Sequence, residues 1–292
     1  MAMKDWRWQR GEWCSVATDV ATDGVTEVAA AQAATTNTAQ PAAPILYTTL
    51  RTAGGRPLLA ASHHARLEAG CRELDWPTPD GTWLQRVETT ATQSGDEIRA
   101  RISLWLCENT LHGWIECSRL QVPAQIRLWP APAGSERARA ALKLINPALR
   151  EWETQAANFG AQEAVLRRGD GVVTETTRSN LLWSDTAGRI YHPRGPALPG
   201  VMLAWALAEL RAAGREIIAL EVSLQELECA DELFVSSAVK GVLPAALVSG
   251  KSVTRDTPLN SAVDPGPVGK YLALRYALLL ARTAAGESLC TP

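Results

Sequence analysis

The run Gly169–Trp183 reads GDGVVTETTRSNLLW, and it constrains the fold more than any other stretch of the chain. Asp170-Gly171 is a turn signal, because glycine tolerates the positive φ that tight hairpins need. Val172, Val173 and Thr174 then favour a strand, and Leu181-Leu182-Trp183 resumes it after a polar interval. A strand pair headed for a core therefore carries one carboxylate, Glu175. Either it is a solvated strand end, or it faces a buried positive partner, since glutamate is rarely buried unpaired.

The rest of the composition narrows the setting. The chain has 292 residues with 46% hydrophobic content, enough for one large or two ordinary domains with a full core. Net charge is −2 and no block of Lys or Arg stands out, which argues against a nucleic-acid surface. No run of about 18 apolar residues exists, and Met1–Arg10 is charged and Trp-rich, unlike a signal peptide. A soluble, cytoplasmic protein without membrane contact is expected. The six cysteines form no CxxC, and neither they nor the four histidines have metal-ligand spacing, so no metal is expected. No GxSxG elbow is present. Lysine occurs only at Lys4, Lys143, Lys240, Lys251 and Lys270, so chemistry requiring a primary amine has few candidates.

The order of elements is mixed, giving an α+β expectation without strict βαβ alternation. Residues 5–14 read as a hairpin and 28–44 as a low-complexity insertion. Ile45–Thr52 reads as a strand turning at Gly54-Gly55. A helix starts near Ser62, with Leu67, Cys71 and Leu74 on one face, and ends at Pro77 and Pro79. Strands follow at Ile98–Cys107 and Trp114–Leu120. The Pro-rich stretch around LWPAPAGSE suggests a linker over 126–136, between a small N-terminal domain (1–125) and a larger C-terminal one (137–292). Beyond it the pattern gives a helix at about Glu151–Phe159, a strand at Glu163–Arg167, the hairpin above and its further arm Arg189–His192. Then come a helix between Pro199-Gly200 and Gly214, a strand at Glu216–Val222, a capping box Ser223–Glu226, a strand-turn-strand over Asp231–Lys251 and a helix at Tyr271–Ala284.

Five features could carry chemistry. Gly200 before a helix leaves the amides of Val201 and Met202 open to an anion, or is an ordinary helix start. The small-residue turn VSSAVKG, with Ser237 and Ala238, could complete an anion cradle, or is simply a loop. Arg66 could grip a phosphate, or is a surface arginine. Lys143 sits among Ala140, Ala141, Leu142, Leu144 and Ile145, where an ammonium is partly desolvated and becomes a usable nucleophile, or snorkels at a strand edge. Glu175 is the fifth. One amine, one arginine, two anion cradles and one carboxylate are the set that pyridoxal 5'-phosphate requires: an amine for its aldehyde, donors for its phosphate and an acid for its pyridine nitrogen.

In this order the pieces resemble the class IV, fold-type IV pyridoxal-phosphate enzymes, which include aminodeoxychorismate lyases and the branched-chain and D-amino-acid aminotransferases. His63, Arg66 and Leu67 match the family's His-x-x-Arg-Leu helix motif, preceded by LYTTLR. Lys143 with Asn146 matches the cofactor lysine with Asn three on, as in the lyases. AANFGAQEAVLRRGDGVVTETTRSNLLW, LPGVM and ADELFVSSAVKGVLPA match the downstream motifs, so the likeness covers roughly Ile45 to Ala246. It implies a two-domain fold, with an N-terminal α/β sandwich and a C-terminal pseudo-barrel with helices, and a homodimer. It implies that Lys143 holds the cofactor and shuttles a proton, that Glu175 meets the pyridine nitrogen, and that Arg66, Val201, Met202, Ser237 and Ala238 bind phosphate. The chain departs from the pattern at Pro147, Leu203 and Ala238, in the stretch TTNTAQPAAP before LYTTLR, and in a short connection between Cys107 and Trp114.

The function implied first is a lyase resembling aminodeoxychorismate lyase, forming 4-aminobenzoate and pyruvate toward folate. The alternatives are an aminotransferase for branched-chain or D-amino acids, and a non-catalytic relative that kept the fold. Each of the first two takes a small-molecule amino substrate.

Overall fold

A computed structural model describes residues 5–9, 12–16, 44–248 and 265–287 of the chain. The insertion expected at 28–44 lies outside these, apart from its last residue, as do Lys4 and Lys251. The described chain forms two units. The first holds the residues up to Leu120 together with Lys143–Ile145 and 283–287; the second holds the remainder.

The first unit is a six-stranded antiparallel sheet in the order β2-β1-β6-β5-β3-β4. Its strands are β1 (Asp5–Gln9), β2 (Glu12–Val16), β3 (Leu46–Ala53), β4 (Arg56–Pro57), β5 (Ile98–Cys107) and β6 (Thr110–Arg119). The expected hairpin at 5–14 is the β1–β2 pair. The short connection after Cys107 is a two-residue turn in which Glu108 and Asn109 both take positive φ, as a tight hairpin demands. Two helices cover the sheet, α1 (Ala60–Glu73) and α2 (Thr82–Ser94). Helix α1 buries His63, Leu67, Gly70 and Cys71. Helix α2 has no counterpart in the sequence reading; its Thr-rich segment shows few apolar residues, yet Trp83, Val87 and Ala91 fall on one face and enter the core with Leu50, Ile98, Ile102 and Ile115.

The second unit is a mixed eight-stranded sheet in the order β12-β11-β10-β13-β14-β7-β8-β9. The strands are β7 (Ile126–Ala133), β8 (Glu163–Arg167), β9 (Val173–Thr176), β10 (Asn180–Ser184), β11 (Ile190–Pro193), β12 (Ile217–Leu220), β13 (Glu232–Ser237) and β14 (Gly241–Leu247). Although β9 is last in the hydrogen-bonded order, it also approaches β10 and β11, so the sheet curls toward a barrel. Strands β8, β9 and β10 are buried almost throughout, on both faces, which is why their apolar runs do not alternate.

The linker expected over 126–136 is corrected here. Residues Ile126–Ala133 are strand β7, parallel to both β14 and β8. Its prolines, Pro130 and Pro132, sit where the register with β8 shifts, a site at which a missing N–H costs no ladder bond. The helix expected at Glu151 begins earlier, as α3 (Pro147–Asn158), because the Asn146 side chain accepts the Ala148 N–H at 3.0 Å and proline suits the first helical position. Helices α4 (Val201–Ala212), α5 (Leu224–Glu228, with its capping box) and α6 (Pro267–Ala284) complete the unit and its exit. The Glu232 carboxylate accepts the first N–H groups of α6, from Val268 at 3.0 Å and Gly269 at 2.9 Å.

Gly241 closes the β13–β14 turn at φ +79°, and any Cβ there would run into the Tyr276 ring. We expect G241A to lose roughly 1–3 kcal/mol or more in urea denaturation, through left-handed strain and steric overlap together; unchanged stability would show that the turn relaxes freely.

Candidate functional site

In the first unit the site is built on β3. The segment Lys143–Ile145 runs beside that strand: Tyr47 N–H donates to the Lys143 carbonyl at 2.9 Å, and Ile145 N–H to the Ile45 carbonyl at 2.9 Å. This pairing puts the Lys143 ammonium over the Tyr47 ring, 5.0 Å from its centre, while the Arg101 guanidinium lies 4.8 Å from the same centre. The next residue of β3, the buried Thr48, meets α1. Its hydroxyl accepts Arg66 Nη2 at 2.6 Å and lies 2.7 Å from His63 Nδ1. With Arg66 donating to Thr48, the hydroxyl keeps its own proton available for Nδ1 of the imidazole.

Charge is crowded here. Burial, then Arg66, then Lys143 hold the His63 imidazole well below its ordinary 6.5, so the folded chain keeps it neutral. Burial also lowers Arg66 to about 10, with Tyr47 acting in the opposite direction. The buried Arg66 Nε has no hydrogen-bond partner. A guanidinium fixed by one hydroxyl, with a dry donor left over, is suited to an oxyanion.

In the second unit the site is built on β9 and β10. Glu175 is 2% exposed, which removes the reading as a solvated strand end. Arg137 Nε donates to its Oε1 at 2.9 Å, and the Leu198 N–H to its Oε2 at 3.3 Å. Arg137 is itself buried, reaches the Thr177 carbonyl at 3.5 Å, and has an unpartnered Nη1. The sequence reading missed this arginine. Nothing in GSERARAALK distinguishes the buried Arg137 from the exposed Arg139 two residues on.

Leu198 also orders the anion cradle. Its carbonyl accepts the Asn180 side-chain N–H at 2.8 Å, and the Asn180 amide oxygen lies where a Cβ on Gly200 would stand. Only glycine fits before α4, whose N-terminus, at Val201 and Met202, has no side-chain cap. Across the ladder Asn180 pairs with Ser236, the residue before Ser237 and Ala238. The two cradle segments foreseen in the sequence therefore meet on either side of Asn180. Ser236 Oγ is buried without a partner, and Ser237 Oγ accepts the Lys240 N–H at 3.2 Å.

Each group that pyridoxal phosphate needs thus has a fitting donor or acceptor: an amine on an aromatic face, an arginine with a dry unpartnered donor, an uncapped helix start behind a glycine that admits no Cβ, and a buried carboxylate. Among the described residues no cluster of three or more metal-ligating side chains occurs, and no described helix is long and apolar enough to cross a membrane.

Comparison with known proteins agrees with this chemistry. Residues 45–248 match the family described as amino-transferase class IV, and the chain belongs to that family. No curated protein sequence matches it. Among solved structures it is similar to one from Thermotoga maritima assigned as a branched-chain amino acid aminotransferase (18% identity over 95% of this chain and 96% of the other, TM-score 0.73). A second, from Legionella pneumophila, is assigned as a 4-amino-4-deoxychorismate lyase (18% identity, 80% and 91%, TM-score 0.67). A third is an aminotransferase from Brucella abortus bound to pyridoxal phosphate (17% identity, 94% and 99%, TM-score 0.69). The fold is accordingly the α+β, two-domain fold-type IV architecture, the protein is an enzyme acting on a small molecule, and its cofactor is pyridoxal phosphate.

Two outcomes check the geometry. Replacing Arg137 with methionine strands a buried carboxylate, so R137M should lose about 3–5 kcal/mol of stability, and R137M/E175L should regain most of it. Equal losses in both would mean the pair is not the reason. For His63, the unfolded chain takes up a proton near pH 6.5 and the folded chain resists it. Stability should therefore be full above that pH and fall below it, by up to about 1.4 kcal/mol per pH unit, and H63N should flatten the slope by one proton.

Proposed function

We propose that this enzyme is a pyridoxal-phosphate-dependent lyase that releases pyruvate from 4-amino-4-deoxychorismate and leaves 4-aminobenzoate. The observation that carries the cofactor part of the reading is the pairing of Lys143 on the Tyr47 ring with the unpartnered donor of Arg66 in the same unit. Of the described lysines, Lys240 has its ammonium on Glu163 and Lys270 is exposed on α6, which favours Lys143 as the amine for the cofactor aldehyde.

The bound cofactor supplies an electron sink for the substrate carbon that loses its proton. The chain's own residues do the rest. Lys143 would hold the cofactor through its aldehyde and would carry the proton at the substrate carbon. Glu175, held in place by Arg137 and the Leu198 N–H, would meet the pyridine nitrogen. Arg66, the amides of Val201 and Met202, and the Ser237-Ala238 turn would hold the phosphate. The buried Thr48 contacts both Arg66 and His63 at a position where the resembled family has Glu or Thr, and Thr there leans toward the lyase, as does the likeness to the Legionella pneumophila structure. Asn146, whose spacing from Lys143 resembles the lyases, acts as a helix cap here and so weighs less. The reading includes a cytoplasmic homodimer, as the family resemblance implies.

The second reading is an aminotransferase for branched-chain or D-amino acids, favoured by the family description and by the Thermotoga maritima structure. One assay separates the two. A lyase releases 4-aminobenzoate with no oxo acid added, and K143A should slow that release by about 10²–10⁴-fold. Amine transfer that depends on an oxo acid, with no 4-aminobenzoate, would replace the lyase by the aminotransferase.

A further inference from the structure

The β13–β14 turn is fastened at a point that the proposed function leaves unused. Glu163 on β8 is completely buried, and its carboxylate is surrounded by donors. Oε1 receives the Lys240 ammonium and the Ser179 hydroxyl at 3.1 Å; Oε2 receives the Thr176 hydroxyl at 2.5 Å. Thr176 in turn accepts the Ser179 N–H at 2.8 Å. One carboxylate therefore organises the whole β9–β10 turn, which joins Thr176, the residue after Glu175, to Asn180.

Lys240 brings a second turn to the same carboxylate. It follows Ser237 and Ala238 by three and two residues, and its own N–H donates to the Ser237 hydroxyl. Its backbone thus braces the cradle turn from within, while its side chain ties that turn to Glu163. The turn bearing the proposed phosphate donors and the strand bearing the proposed ring-nitrogen acid share this one anchor.

A rigid ligand with an anion at one end and a ring nitrogen at the other needs its two receivers at a fixed separation. We infer that Lys240, acting through Glu163, is a positioning residue that holds the Ser237-Ala238 turn in register with Glu175, and so sets the preference for a phosphorylated pyridoxal. Lys240 touches neither the reacting atoms nor the substrate in this role. The inference rests on the assignment of Ser237 and Ala238 to phosphate.

The test is a titration of the full-length chain with pyridoxal phosphate and, separately, with pyridoxal, followed by tryptophan fluorescence. E163Q/K240M removes both charges, so neither is left buried alone. It should lose about tenfold in affinity for pyridoxal phosphate, the worth of one hydrogen bond to a charged group, and far less for pyridoxal. K240R, which keeps a cation on Glu163, should restore the ratio of the two affinities. A general weakening of structure would lower both affinities together and leave the ratio unchanged, and that result would overturn the inference. If the double variant does not fold, K240Q keeps a neutral donor toward Glu163 and must show the reduced ratio; a wild-type ratio in K240Q overturns the inference equally. Wild-type chain that binds neither ligand would instead remove the cofactor-residue assignment beneath it.

Discussion

A carboxylate inside a sheet is tolerable only when something positive or strongly donating meets it. Glu175 has both an arginine and a backbone N–H, and much of the second unit follows from that. Arg137 must be buried to reach it, so the segment leading out of β7 folds inward. Leu198 must present its N–H, which fixes the approach to α4. Because the Leu198 carbonyl is taken by Asn180, the start of α4 is placed against β10, and only glycine can occupy position 200. The acid and the uncapped helix start are thus consequences of one hydrogen-bonded chain.

The first unit solves a different problem with similar means. Arg66 and Lys143 are both cations, and His63 is buried near them. The protein keeps the imidazole neutral and places its Nδ1 against the Thr48 hydroxyl, whose oxygen accepts from Arg66. The neutral imidazole adds no further charge to the repulsion, and the aromatic face of Tyr47, which meets both Lys143 and Arg101, offsets part of it. Such an arrangement is costly in the absence of an anion, a cost expected at a binding site and unexpected in a purely structural core.

What was legible in the sequence depended on how local its cause was. The turn at Asp170-Gly171, the capping box at Ser223 and the helix behind Pro199-Gly200 all have causes within a few residues, and they stand as expected. Strand β7 did not, because its two prolines signal a loop unless the bulge beside them is known. Helix α2 was hidden by its threonines. Arg137 and Lys240 were invisible as site elements for a plainer reason: their partners lie 38 and 77 residues away, and an arginine or lysine looks the same in sequence whether it is buried or exposed. The family resemblance, carried by motifs such as His63-x-x-Arg66-Leu67, supplied the functional class that residue patterns alone left open.

The central claim is that residue 143 is the amine that holds pyridoxal phosphate. Borohydride reduction of the purified enzyme, followed by mass spectrometry of its peptides, addresses this directly. The mass of the reduced cofactor should appear on the peptide containing Lys143 and on no other. Finding it on Lys240 or Lys270, or finding no modified peptide in enzyme saturated with the cofactor, would contradict it.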